Sequence, residues 1–244
     1  MILPGTWSDR ADVKILTIDT STTTNSVAVT VDGHLLAEYL VNPDRNNSSS
    51  LMTGLDLVMT SAGLTVDSLD VIGVTLGPGS FTGVRIGIAT VKGLALASGK
   101  PVVAFSSLAM LAMNLPYAAY PVCPMFDAKK NEVYAALYRC RELPEKLLDE
   151  CVAPPADLLA QIRVPTLFIG SGALRYRDLI VDTLGEMAIF VPSVCHQPRA
   201  AAGAILAADL YSRGEFTSPG DALVPSYLRA SEAELARMKK ALVT

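Results

Sequence analysis

The sequence predicts an α/β protein of two lobes, the second smaller than the first. Three observations carry that prediction. The first hundred or so residues alternate strand and helix patterns in the order strand, hairpin, helix, strand, helix, strand. A shorter round of strands and helices follows from residue 122. The chain has 244 residues, half of them hydrophobic, enough for one large or two small domains with a real core.

The elements follow in order. Residues 13–18 are a largely apolar strand that ends in Asp19, Thr20 and Ser21. Residues 26–31 and 35–41 flank Asp32-Gly33, a strong hairpin signal, with His34 beside the turn. A polar turn at 42–47 leads to a helix capped by Asn47 or Ser48 and stopped by Gly63. Leu51, Leu55, Val58 and Ala62 form one apolar stripe on it, and Met52 and Met59 extend the stripe to a second side. A strand at 71–76, a glycine-bearing helix to residue 98 and a strand at 102–105 complete a ribonuclease-H-like unit.

The second round places strands at 122–126, 132–139 and 166–169, then Gly170-Ser171-Gly172 and an alanine-rich helix over 198–213. The proline- and charge-rich stretch 141–155 is predicted as loop, and a short helix begins at Ser231. The expected division is an extension at 1–12, a first lobe at 13–115, a smaller second lobe at 116–230 and a tail at 231–244.

Composition narrows the function. Charged residues make up 18% of the chain against a usual share of about 25%, so part of the surface is expected to be covered by another protein. The net charge of −4 and pI near 5.2 argue against nucleic-acid binding by this chain alone. Arg229, Arg237, Lys239 and Lys240 read as a solvated basic face. Four cysteines lie far apart without a CxxC pair, and only His34 and His196 are present, which leaves metal and Ser-His chemistry short of ligands and bases. No signal peptide or membrane span is visible, so a cytoplasmic protein is expected.

The most informative segment runs from Thr75 through Gly77-Pro78-Gly79-Ser80-Phe81-Thr82-Gly83-Val84-Arg85-Ile86-Gly87. Gly79, Gly83 and Gly87 fall on one helix face. Each costs about 1 kcal/mol relative to alanine, so a close approach must require them. A phosphate at the helix start or a second helix packed on this face would do so. Asp19, Thr20 and Ser21 after the first strand, with Asp127 after the strand at 122–126, are candidates for a Mg²⁺-nucleotide site, as is Gly170-Ser171-Gly172 for an adenine. Strand-end turns explain the same residues without a ligand.

Ile18-Asp19-Thr20-Ser21, the glycine run, Lys92-Gly93-Leu94-Ala95, Phe126-Asp127-Ala128, Glu132-Val133-Tyr134 and Pro225-Ser226-Tyr227-Leu228-Arg229 together resemble the TsaB (YeaZ) family. The resemblance spans nearly the whole chain. It implies a two-lobed actin-like ATPase architecture made from duplicated ribonuclease-H-like units, the second reduced. It also implies a non-catalytic subunit in making threonylcarbamoyladenosine beside the anticodon of tRNAs that read codons starting with A. TsaD carries the transfer in that group and TsaE joins the pair, tRNA being met only through the complex. Catalytic TsaD-like chains place an HxxxH metal pair where this chain has Ser107 and Leu111, so neither a catalytic residue nor a metal ligand is expected. Asn47 stands where the family often has histidine. No tightly bound cofactor is expected, with ATP at Asp19, Thr20, Ser21 and Asp127 as the weaker option. The resemblance assigns partner docking, to TsaD or a second copy, to the helices at 48–62 and 80–98. Met52, Leu55, Met59, Gly83, Arg85, Gly87 and Thr90 are the expected contacts. The rival readings are a metal-dependent peptidase and an ATP-hydrolysing chaperone or kinase.

Overall fold

The computed structural model describes residues 13–42 and 47–229. The expected extension at 1–12, the helix from Ser231 and the cluster members Arg237, Lys239 and Lys240 lie outside them. So does the side chain of Asn47.

Three antiparallel strands, β1 (Lys14–Asp19), β2 (Asn25–Val31) and β3 (His34–Val41), open the chain. Asp32 and Gly33 both sit at positive φ, as a type I′ turn requires. Helix α1 (Asn47–Ala62) leads to β4 (Val71–Thr75), α2 (Phe81–Ser98) and β5 (Val102–Phe105). β4 and β5 join parallel to β1, giving the sheet order β3-β2-β1-β4-β5. A short helix α3 (Ser107–Ala112) crosses to the second sheet.

That sheet repeats the first. β6 (Val122–Asp127), β7 (Val133–Cys140) and β8 (Pro144–Ala153) are antiparallel, while β9 (Thr166–Ile169) and β10 (Ala188–Phe190) are parallel to β6. The order β10-β9-β6-β7-β8 is the same unit again. The second lobe therefore keeps all five strands, and its reduction falls on the helices. α4 (Pro155–Leu159) has 5 residues where α1 has 16, and α5 (Ser171–Arg175) and α6 (Arg177–Leu184) together replace α2.

Two expectations need correction here. The stretch 141–155 is not loop: most of it is β8, a ten-residue edge strand. Charges such as Glu145, Lys146 and Asp149 are what a solvent-facing edge tolerates, so they did not argue against a strand. The second lobe also does not run to residue 230. Helix α7 (Ala200–Ser212) packs on β1, β2, β4 and β5 of the first sheet. Its Ala202, Leu206 and Ala207 share a core with Ile15, Val71, Val103 and Phe105. Its first turn is tied down by Ser26 Oγ, which accepts from Ala200 N at 2.8 Å, and by Glu38, which accepts from Ala201 N at 3.1 Å. A carboxylate there meets the positive end of the helix dipole. Among the described residues no helix is long and apolar enough to cross a membrane.

Candidate functional site

Two places on this frame carry the candidate residues: the cleft between the lobes and the outer side of α1 and α2.

The cleft has a volume of about 860 Å³. Its walls include Ser21, Thr22 and Thr23 of the β1–β2 turn, Gly79 to Phe81 at the start of α2, the β6–β7 turn at 126–130, Arg175 and residues 226–229. Asp19 and Thr20 are not among its lining. The Asp19 side chain is fully buried beneath the turn, where Oδ1 accepts from Thr75 Oγ1 at 2.6 Å and from Ser21 N at 3.1 Å. Oδ2 has no partner among the described residues. Burial, opposed only in part by those hydrogen bonds, raises the Asp19 carboxyl above its ordinary value.

Asp127 stands across the cleft and is already neutralised. Lys129 Nζ lies 3.0 Å and Arg175 Nη1 3.1 Å from its Oδ2. Partial burial pushes this carboxyl up, but the hydrogen bonds and charge of Lys129 and the charge of Arg175 outweigh it and hold it below the usual range. A Mg²⁺ ion needs charged, accessible oxygen ligands. Asp127 lines the cleft in its charged form, whereas Asp19 is turned beneath the cleft floor and drawn toward its neutral form.

The raised Asp19 carboxyl has a consequence for stability. A group that binds its proton more tightly in the folded chain favours folding below its unfolded value, and that contribution is lost as pH rises through its folded value. Asp19→Asn is permanently neutral, so it should raise the melting temperature at pH 7 relative to the parent chain. The gain should vanish near pH 4. Melting curves over pH 4–8 that run parallel for the two proteins would show that Asp19 is charged in the fold.

The glycine stripe faces the same turn. A Cβ on Gly79 would overlap the Ser21 carbonyl, and one on Gly83 the Thr20 carbonyl. A Cβ on Gly87 would strike Thr20 Oγ1. Thr20 Oγ1 donates to Gly83 O at 2.7 Å, and Ser80 N donates to Ser21 O at 2.6 Å. These glycines let α2 seat on the β1–β2 turn inside its own lobe. The expectation that Gly83 and Gly87 present a face to a partner is therefore corrected. Spacing identified the close approach but could not say which backbone made it.

Gly170 and Gly172 have the same explanation, since side chains there would meet Met125 and Phe126 of β6. The buried His196 holds this turn from behind. Its Nδ1 accepts from Gly170 N at 3.0 Å, and Nε2 faces Val191 O at 3.2 Å. Ser107 and Leu111 on α3 are fully buried core residues. Among the described residues no group of three or more His, Cys, Asp or Glu side chains could hold a metal ion.

The outer side of α1 and α2 divides the expected contacts. Leu55 and Met59 are buried in the first-lobe core with Leu51 and Val58, which corrects their placing on a contact surface. After Gly63 the chain turns back and lays Leu64 and Val66 on that core, so the end of α1 is covered where Met59 sits. Met52, two turns earlier, stays 52% exposed. Arg85 is exposed and Thr90 half-buried.

The exposed stripe of α2 is Thr82, Arg85, Ala89, Gly93 and Leu96, spaced three and four apart. A Cβ on Gly93 would meet nothing, and Leu96 is 63% exposed. On α1, Met52 and Leu57 are also exposed. Ala89, Leu96 and Leu57 were not singled out from sequence, and Gly93 only as part of a motif. On α2 the 3.6-residue period holds the signal, because Ala89, Gly93 and Leu96 lie opposite Val84, Ile88, Val91 and Ala95, which are buried.

A family model described as "TsaD: tRNA N6-adenosine threonylcarbamoyltransferase" matches residues 34–237. The tRNA threonylcarbamoyladenosine biosynthesis protein TsaB of Bacillus subtilis (strain 168) is 33% identical over 229 residues, covering 90% of this chain and 96% of that protein. YeaZ from Pseudomonas aeruginosa superposes with a TM-score of 0.75 at 30% identity, covering 88% of this chain and all of that one. Component A of the (R)-2-hydroxyglutaryl-CoA dehydratase of Acidaminococcus fermentans, 12% identical with a TM-score of 0.50, shares the fold alone.

Proposed function

Because the chain belongs to the TsaB (YeaZ) family of tRNA threonylcarbamoyladenosine biosynthesis proteins, we propose that it is the docking platform of that machinery rather than its catalyst. It binds and stabilises a TsaD-type transferase subunit, a TsaE-type ATPase joins them, and tRNA is met through the assembly. A second copy of this chain is the alternative occupant of the same face when the transferase is absent.

The observation that carries this reading is the exposed face of α1 and α2. Leu96 is open to solvent on the α2 stripe that carries Ala89 and Gly93, where another helix can approach closely, and Met52 and Leu57 are exposed on α1. The rival catalytic readings draw no support from the cleft. Asp19 is buried and drawn toward its neutral form, Asp127 is ion-paired twice, and the position of a metal pair is filled by core side chains.

A drop-out reconstitution tests the proposal. Threonylcarbamoyladenylate-forming enzyme, TsaD, TsaE, this chain and substrate tRNA are mixed, and each is omitted in turn. Modification should be lost without this chain, and the chain should not replace TsaD. Modified tRNA formed in the absence of TsaD would overturn the proposal.

A further inference from the structure

The lobes meet at the back of the cleft and again at its front, and the two ties are built differently. At the back, α3 contributes to both cores: Leu108 and Leu111 pack under the second sheet, Met110 and Met113 under the first. Asn114 Nδ2 donates to Cys195 O at 2.9 Å and Gln197 O at 2.7 Å, and Thr24 Oγ1 donates to Gln197 Oε1 at 2.6 Å. This is a packed, buried hinge.

At the front, among the described residues, a single segment spans the cleft. Leu223 rests on the first-lobe core, and Ser226 N donates to Leu76 O at 2.8 Å. Tyr227 stacks on Phe81 at 4.5 Å between centroids. Arg85 lies 3.8 Å over the Phe81 ring, and its Nε donates to Tyr227 OH at 2.8 Å. Two residues later Arg229 reaches the other lobe. It donates to Ala128 O at 2.9 Å, pairs with Glu132 and lies near the Tyr134 ring. The turn it grips is strained: Lys129, Lys130 and Asn131 all take positive φ without being glycine.

We infer that residues 223–229 are a latch across the cleft, and that docking on α2 releases it. Arg85 belongs to both structures at once. It stands in the exposed stripe with Ala89, Gly93 and Leu96, and it holds Tyr227 in the latch. A partner that takes the Arg85 guanidinium takes the Tyr227 hydrogen bond with it. The segment is then held to the first lobe only by Leu223, Ser226 N and the Phe81–Tyr227 stack, and the grip of Arg229 on the strained β6–β7 turn loosens. The release step rests on the docking reading above; the latch itself does not.

Amide hydrogen exchange on the full chain tests both halves. In the free protein Arg229→Ala, Tyr227→Ala and Arg85→Ala should each speed exchange at residues 128–133 by about tenfold or more, with protection in β1 and β6 unchanged. Tyr227 and Arg85 do not touch that turn, so their effect must travel along the segment. Unchanged exchange at 128–133 in these variants would overturn the latch, as would a loss of protection spread through both sheets. Addition of the TsaD-type subunit to the parent chain should raise exchange at the same residues. A complex that forms while 128–133 exchange as in the free chain overturns release and leaves docking intact. Failure to form any complex overturns docking, and release with it.

Discussion

Gly83→Ala should lower the melting temperature of the chain by roughly 4–8 °C, although alanine is the better helix former. A methyl group there would overlap the carbonyl oxygen of Thr20, which belongs to the backbone of the β1–β2 turn and cannot rotate away. Overpacking of this kind costs about 3 kcal/mol, more than the propensity gain of about 1 kcal/mol. The turn is further fixed by the Thr20 and Ser80 hydrogen bonds, so relief would mean lifting the start of α2 off the sheet. Gly93→Ala, ten residues along the same helix, is the internal control. It meets open space and should raise stability by about 0.5–1 kcal/mol. Differential scanning calorimetry of the two variants decides the matter. If both glycines respond alike, α2 does not seat on the turn as described.

Leu96→Asp and Met52→Asp, combined, should weaken binding of the TsaD-type subunit by about a hundredfold or more while leaving the melting temperature within a few degrees. Both side chains are solvent-exposed in the free chain, so a carboxylate costs little until a partner covers it. Met59→Asp, seven residues from Met52 on α1, should behave in the opposite way. Its side chain lies in the first-lobe core, where an unpaired carboxylate should destabilise the fold by about 4 kcal/mol or more. Size-exclusion with light scattering and a thermal melt separate the outcomes. Undiminished complex formation by a folded Leu96→Asp/Met52→Asp protein would remove this face from the proposal.

The contrast between Met52 and Met59 shows what was legible in the sequence. Element types and order could be read, because strand alternation, the Asp32-Gly33 turn and helix caps are local signals. The close approach at Gly79, Gly83 and Gly87 was equally legible, since only a demand on space explains three glycines on one face. The neighbour across that face was not. It is the carbonyl edge of residues 20 and 21, some sixty positions away, and no local pattern encodes it. Exposure on α1 failed for the same reason, since Leu64 and Val66 return to cover the level of Met59 and leave Met52 bare. The edge strand β8 was missed because its solvent-facing charges imitate a loop. The candidate nucleotide residues were correctly placed at strand ends, but whether a carboxylate opens to a cleft or turns beneath it depends on burial alone.

Helix α7 and the segment after it are made after the second lobe, yet they finish the first. Until residues 200–212 leave the ribosome, Ile15, Val71, Val103 and Phe105 have no cover on that side of the first sheet. The second lobe has no such debt, because its five strands and its short helices occupy one unbroken stretch. Synthesis therefore runs against the order of completion: the younger half of the chain can close while the older half waits with an apolar face exposed. A fragment ending near residue 115 is not a smaller version of this protein but a whole sheet with one apolar face uncovered, prone to aggregate.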